Sequence, residues 1–303
     1  MIYTVTFNPA IDCVIGLDNL KNGAVNRADR QDIFVGGKGI NVSLVLNQLG
    51  TKSVAIGFSA GFTGAAIEDG VRAQGVETDF IRLENGYSRI NIKVKTDSET
   101  ELNGPGPEID DEAFEKLMSK LNRLGANDVL VLAGSVPSSL PRDVYRRIIS
   151  QLNGKGIKFV VDAAGDLLMN VLQYKPFLIK PNNIELGEIF NKTLKSQDDV
   201  ISCAKQLQKK GAINVLVSMA ENGAVLLDEN EQVHRIDAPK GKAVNSVGAG
   251  DSMVAGFLAG YLKTGDYGYA LKLGTAAGSA TAFSADLAKR DEIEKIFAAI
   301  QRF

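Results

Sequence analysis

Apolar positions along this chain follow two spacings, and the changes from one to the other mark out its elements. Residues 2–7 and 53–58 are short apolar runs that predict strands. Residues 38–49 carry Ile40, Leu44, Val45 and Leu49 at helical spacing, and Gly50 ends that helix. A second helix is predicted over 63–74, ended by Gly75. From Asp110 onward the alternation is regular. Predicted helices at 110–124, 142–152, 167–172 and 196–210 each precede a short apolar run, at 129–132, 159–161, 177–179 and 215–217. Continuous apolar strands between helices indicate a parallel sheet covered on both faces. The stretch from Asp251 onward is predicted to be helical, and 232–236 reads as a strand.

Two segments depart from this pattern. Residues 12–35 are polar with short strand-like pieces. Residues 88–95 alternate, with Ile90, Ile92 and Val94 on one side and Arg89, Asn91, Lys93 and Lys95 on the other. That alternation predicts an antiparallel strand with one wet face, and 100–103 is placed to pair with it across 96–99. The two segments are expected to form one small sheet beside the main body, acting as a lid or a dimer surface. There is no internal repeat and no low-complexity linker.

The chain has 303 residues, 45% of them hydrophobic and 23% charged, with a formal net charge of −2. That is ordinary for a globular protein, and the absence of a long basic block argues against nucleic acid as a partner. Cys13 and Cys203 form no C-x-x-C pair and predict no disulfide framework. The start resembles no secretory signal and no run reaches the roughly 20 apolar residues of a membrane span, so a cytoplasmic protein is expected. The single histidine, His234, cannot supply a multi-histidine zinc site and is expected to be a surface or strand residue.

The candidate chemistry lies in loops that open helices. Val247-Gly248-Ala249-Gly250-Asp251-Ser252 precedes a long run of small and apolar residues. Glycines let backbone N–H groups turn toward a bound group, and a helix N-terminus adds free donors and a positive dipole end. With Asp251 as a base beside this anion hole, the hexapeptide has what phosphoryl transfer to an alcohol needs. By itself it also reads as a tight turn with a capping Asp. Gly36-Gly37-Lys38-Gly39-Ile40-Asn41-Val42-Ser43 is a second glycine loop, suited to a sugar phosphate through Lys38 and Asn41 or serving as a plain turn. In Lys180-Pro181-Asn182-Asn183-Ile184-Glu185, Asn182 and Glu185 fall within one turn. That pair suits a hydrated Mg²⁺ or a capping box. Ser218-Met219-Ala220-Glu221-Asn222-Gly223 follows an apolar strand, where α/β sheets bind ligands. No Walker A sequence is present: Gly37-Lys38, Gly154-Lys155 and Gly241-Lys242 all lack the following Ser or Thr. The H-R-D and D-F-G signatures of protein kinases are also missing.

Taken together, these ordered stretches, with Thr6-Phe7-Asn8-Pro9-Ala10-Ile11-Asp12 at the start, resemble the ribokinase-like carbohydrate kinases of the PfkB family from end to end. The resemblance implies an α/β fold in three α/β/α layers, with a mainly parallel central sheet and a small β-sheet lid. It implies one domain over 1–303, with the lid formed by about 10–35 and 87–104. It implies a kinase using ATP and Mg²⁺. Arg89-Ile90-Asn91 and Asn103-Gly104-Pro105-Gly106-Pro107 lean toward D-fructose 1-phosphate as acceptor, phosphorylated at its 6-hydroxyl. Tagatose 6-phosphate and fructose 6-phosphate are the alternatives, with a non-catalytic sugar-phosphate sensor behind them. The resemblance assigns Asp251 as base, with Gly248, Ala249 and Gly250 as anion hole. It assigns Asp12, Gly37, Lys38, Gly39, Asn41 and Asn103 to the sugar, and Arg89 with Lys38 and Arg27 to its phosphate. Lys180, Asn182, Ser218, Met219, Ala220, Glu221, Asn222, Gly223, Ser246 and Ser279, with Gly248 and Gly250, would serve ATP, and Glu185 would hold Mg²⁺ indirectly. A homodimer through the lid is implied. Two departures stand out. Ala220 occupies a position where glycine is common, so a positive φ there would cost about 1 kcal/mol or more. Ser139 also replaces a frequent glycine, with little consequence expected.

Overall fold

The structure is a computed structural model that describes residues 1–97 and 99–300. The chain begins with β1 (Ile2–Thr6) and two strands of a small sheet, β2 (Ala10–Gly16) and β3 (Arg30–Gly36). Next come α1 (Lys38–Gln48), β4 (Ser53–Ala60), α2 (Gly61–Ala73), β5 (Glu77–Thr78) and β6 (Ile81–Leu83). It returns to the small sheet with β7 (Arg89–Lys95) and β8 (Glu99–Asn103). The alternating part follows: α3 (Asp111–Leu121), β9 (Val129–Ala133), α4 (Val144–Leu152), β10 (Lys158–Asp162), α5 (Gly165–Met169), β11 (Leu178–Ile179), α6 (Asn183–Ile189), α7 (Gln197–Lys209) and β12 (Asn214–Ser218). A hairpin of β13 (Ala224–Leu227) and β14 (Val233–Ile236) leads into α8 (Ala249–Thr264), α9 (Tyr267–Phe283) and α10 (Arg290–Ala299).

The main sheet has the order β14-β13-β12-β11-β10-β9-β1-β4-β5, with β6 also on β4. It is parallel except at the β12-β13-β14 edge. The continuous apolar strands have a direct cause. In β9, Leu130 and Leu132 face a core shared with α3, α4 and α7, while Val129, Val131 and Ala133 face the core under α1, α8 and α9. Both faces of the strand are buried, so neither can be polar. The three-layer α/β/α fold with a separate small sheet agrees with the expectation. Of the elements not anticipated, β13 is a short apolar strand between β12 and the edge strand β14, and β5 and β6 are too short to show a period.

Strand order reverses at β1, with β4 on one side and β9 on the other. In open α/β sheets a crevice opens at the carboxyl ends of strands beside such a reversal. Here those ends deliver Thr6, Phe7 and Asn8 from β1, Gly134 and Ser135 after β9, and Asp162 from β10.

The small sheet, in the order β3-β2-β7-β8, contradicts the sequence reading in two respects. β7 pairs antiparallel with β8 but parallel with β2. Its polar face is also the covered one: Asn91 and Lys93 are each 6% exposed. On the opposite face Ile33, Leu102 and Ile90 are 63%, 58% and 44% exposed. Alternation predicted two unlike faces, but tertiary packing decided which one the body covers.

Among the described residues, no helix is long and apolar enough to cross a membrane. His234 lies on β14 as expected, with Nε2 2.8 Å from the buried Asp228 carboxylate.

Candidate active site

The glycine loop before α1 is set by β1. Ile40 N–H donates to Thr6 Oγ1 at 3.0 Å, and a Cβ on Gly39 would lie 2.6 Å from the same oxygen. Only a bare Cα lets the helix start this close to the strand. Asn41 is thereby aimed across to α8, where its Nδ2 donates to Asp251 Oδ2 at 2.8 Å.

Asp251 sits in the first turn of α8, only 4% exposed. Gly248 caps that helix with φ +78, a conformation in which a side chain is strained, and its Cα rests against Leu287. α8 is held rigidly from behind. Ser252 Oγ and Thr281 Oγ1 are 2.8 Å apart, and bare glycines on α8 and α9 bring the two helices together, with Gly256 against the Leu273 carbonyl. The first N–H groups of a helix have no intrahelical partner; of these, Ala249 N–H donates to the Ser246 carbonyl at 3.3 Å.

A buried charge cluster completes this end. Asp162, at the end of β10 and 1% exposed, receives Lys180 Nζ at 3.2 Å on one oxygen and Lys38 Nζ at 3.5 Å on the other. The ammonium of Lys180 also lies against Gly250: a Cβ there would be 3.1 Å from it. Two cations are therefore fixed beside the helix N-terminus. Burial, and then the nearby Asp162 carboxylate, push the Asp251 carboxyl up to about 6, against the pull of Lys38, Asn41 and Lys180. For Lys38 burial acts downward, but Asp162, Asp251 and Glu185 outweigh it and raise its pKa. Burial lowers that of Arg89, with Asp12 opposing.

A cavity of about 390 Å³ opens beside the cluster, lined among others by Asn8, Lys38, Arg89, Ser135, Asp162 and Glu185. Asn8 Oδ1 and Arg89 Nε, on residues lining this cavity, are buried polar atoms without a hydrogen-bond partner, as is Asn91 Oδ1 on the small sheet, while Asp162 Oδ2 has only the Lys38 ammonium at 3.5 Å. Buried polar groups are nearly always paired. Acceptors and a guanidinium donor left open around one cavity indicate a polar ligand.

The anticipated residues divide into those brought together and those not. Asp12, Gly37, Lys38, Gly39, Asn41, Arg89, Lys180, Gly248, Ala249, Gly250 and Asp251 converge on the crevice. Asn182 and Glu185 form a capping box on α6, Asn182 Oδ1 accepting from Glu185 N–H at 2.8 Å and Glu185 Oε2 from Asn182 N–H at 2.9 Å. Glu185 still lines the cavity. Ser218 ends β12 and pairs with Asn182. Ala220 has the anticipated positive φ, +48, in a one-turn 3₁₀ segment closed by Gly223. Met219 is buried in the main core, and with Glu221 and Asn222 lines a separate cavity near Lys195 and Asp237. Ser279 lies beside Gly278, which packs on the Ala249 carbonyl, and Ser246 precedes α8.

Two of the anticipated residues lie apart from these cavities. Arg27 is exposed on the loop between β2 and β3 and lines neither cavity. Asn103 is exposed on the edge strand β8, its Nδ2 reaching only its own neighbour Glu101 at 3.4 Å. Ser139 has a use that was not anticipated: its hydroxyl accepts from Ile109 N–H at 3.1 Å and so anchors the segment after the Gly104–Pro107 stretch. Sequence reading missed Asp162 and Lys93. A lone Asp ending an apolar strand was the available signal for Asp162, and Lys93 was assigned to the solvent face.

The chain is similar to known proteins along nearly its whole length. The family model described as "pfkB family carbohydrate kinase" matches residues 5–291. The chain is 44% identical to the 1-phosphofructokinase of Bacillus subtilis (strain 168), covering 98% of this chain and 97% of that one. It is 36% identical to the D-tagatose-1-phosphate kinase of Bacillus licheniformis, covering 99% of each. The crystal structure of phosphofructokinase-2 from Escherichia coli in complex with substrates and products superposes with a TM-score of 0.94 at 28% identity, covering 99% of each chain. With the model match spanning nearly its whole length, this chain belongs to the pfkB family of carbohydrate kinases.

Proposed function

We propose that the protein transfers the γ-phosphoryl group of ATP to the 6-hydroxyl of D-fructose 1-phosphate. The observation that carries this is Asp251: a buried carboxylate, oriented by Asn41, beside a helix N-terminus flanked by the buried Lys180 and the more exposed Lys38. Asp251 takes the proton of the acceptor hydroxyl as that oxygen bonds to the γ-phosphorus. The bond from the γ-phosphorus to the bridging oxygen breaks, and ADP leaves with the electron pair. The N–H groups of Gly248, Ala249 and Gly250, with Lys180, hold the charge on the transferring group. Such a reaction needs positioning and charge neutralisation more than covalent chemistry. A sensor would have no use for a buried base.

Arg89 and Lys38, the cations of the cavity, take the acceptor's own phosphate, while Asp12 and Asn41 meet its hydroxyls. The 1-phosphofructokinase relative supports fructose 1-phosphate. The D-tagatose-1-phosphate kinase relative makes tagatose 1-phosphate the second reading, ahead of the 6-phosphates. Asp162 and Glu185 are oxygen donors on one cavity, which fits Mg²⁺, a cation that keeps much of its water and binds through one or two carboxylates plus phosphates. Mg²⁺ would supply charge neutralisation at the β- and γ-phosphates. The small sheet acts as the lid, and the apolar face it exposes takes a second copy of the chain. Use of ATP goes with a cytoplasmic location.

The test is ADP release from ATP and Mg²⁺ with fructose 1-phosphate, tagatose 1-phosphate, fructose 6-phosphate and tagatose 6-phosphate. The highest kcat/KM is expected with fructose 1-phosphate. Preference for either 6-phosphate overturns the substrate reading, and no turnover with any overturns the kinase.

A further inference from the structure

Lys93 stands out among the groups the mechanism leaves unused. Lysine is rarely buried unless paired, yet Lys93 is 6% exposed on the inner face of the small sheet. Its Nζ lies 3.3 Å from Asp12 Oδ2. An ammonium carries three N–H donors, and this contact uses one of them. The other oxygen of Asp12 accepts from Asn91 Nδ2 at 2.8 Å. That bond fixes the orientation of the Asn91 amide, so its buried Oδ1 stands as an acceptor without a partner. Register places the three side chains together: Asp12 pairs with Asn91 across β2 and β7, and Lys93 follows two residues on, on the same face. Asp12, Lys93, Asn41 and Val247 line one small cavity between the small sheet and the loop that opens α8. Asn41, which lines the same cavity, also donates to Asp251, so the spare donors of Lys93 open beside the residue that orients the reacting carboxylate.

We infer that Lys93 is a specificity-determining residue for the acceptor sugar, reading with Asp12 and Asn91 the ring hydroxyls of a ketose phosphate. Asp12 accepts a hydrogen bond from a hydroxyl, Lys93 donates to a hydroxyl oxygen, and Asn91 Oδ1 accepts from its neighbour. A site built to hydrogen-bond hydroxyls rejects analogues that misplace one, because its own buried groups are then left unpaired. This inference rests on the kinase reading above and deepens it.

The test compares Lys93→Met, of similar length and neutral, with wild type. Turnover is measured on fructose 1-phosphate and on its C4 epimer tagatose 1-phosphate, and fructose 1-phosphate binding is measured by calorimetry without ATP. The expected result is a rise of about tenfold or more in KM and Kd for the sugar. The KM for ATP stays within about twofold, and the ratio of kcat/KM between the two epimers moves toward one. A folded Lys93→Met variant with unchanged sugar KM and epimer ratio overturns the inference. Removing Lys93 alone leaves Asp12 unpaired, so Asp12→Asn and the double variant Asp12→Asn, Lys93→Met are measured beside it. A double variant with the same sugar affinity as Asp12→Asn means that Lys93 only balances a charge, and overturns the inference. A weaker one supports it. Wild-type protein that neither binds nor phosphorylates a ketose phosphate defeats both readings. Normal wild-type turnover with indifferent variants defeats this one alone.

Discussion

The two sheets of this molecule bury their side chains in opposite ways. The main sheet is apolar on both faces and covered on both, so its strands need nothing from outside the chain. The small sheet turns its polar face inward, onto the crevice, and leaves Ile33, Ile90 and Leu102 in the open. The main sheet delivers charges at strand ends where neighbouring helices fix them, as with Asp162 between Lys38 and Lys180. The small sheet spends its inner face on Asp12, Asn91 and Lys93, and so has no hydrophobic core of its own. One sheet is covered on both faces within the chain, whereas the other leaves much of one face open. That open apolar back is the surface on which the proposed lid would dock a second copy.

The largest expected effect tests the rigid half. Asp251→Asn should lower kcat by about 10²–10⁴-fold, as removal of a general base does. The same variant should be more stable than wild type at neutral pH. The folded pKa of Asp251, about 6, lies above the usual carboxylate value. Its contribution to stability is therefore fully present below about pH 4 and is lost as pH rises through about 6. Asn does not titrate, so the gain in Tm should appear above pH 6 and shrink toward pH 4. Wild-type kcat/KM should correspondingly rise about tenfold per pH unit below 6 and level off above it. A flat profile would break the assignment of the base.

Asp162→Asn comes next, with a fall in kcat/KM of roughly 10–10²-fold, because the buried Lys180 ammonium and the Lys38 ammonium lose their shared partner. Steady-state kinetics with both substrates should show the loss divided between ATP and sugar, since Lys180 lies against Gly250 and Lys38 lines the cavity. On the small sheet, Ile33→Glu with Leu102→Glu should convert a dimer to a monomer by light scattering. The Tm should change little, because both side chains are exposed within the chain. Monomeric wild-type protein at micromolar concentration would break the comparison from this side. The smallest effect belongs to Ala220→Gly. Relief of the positive φ outweighs the added freedom of the unfolded chain by less than about 1 kcal/mol. A slight rise in Tm is expected, with the KM for ATP within about twofold of wild type.

Much of the body was legible because its signals are local. The helix–strand alternation after Asp110, the glycine loop at Gly36–Gly39 and the Gly248–Asp251 turn each follow from a few adjacent residues. Backbone conformation and helix capping act over such distances, and even the strain at Ala220 was foreseeable. Asp162 was missed because a single Asp at a strand end acquires meaning only when lysines from β11's far end and α1 meet it, 18 and 124 residues away by the numbering. Arg27 and Asn103 rest on motif membership alone, which says nothing about which way a loop or an edge strand faces.

The sequence by itself determined the class of fold, the order of elements, the two glycine-opened helices and the existence of a sheet with unlike faces. Periodicity, propensity and turn chemistry are properties of neighbouring residues. Only the tertiary structure decided which face of the small sheet is covered, that Asn41 holds Asp251, and that Lys93 is buried against Asp12. Those outcomes depend on contacts between residues as much as 210 positions apart, and on a desolvation that no local pattern encodes.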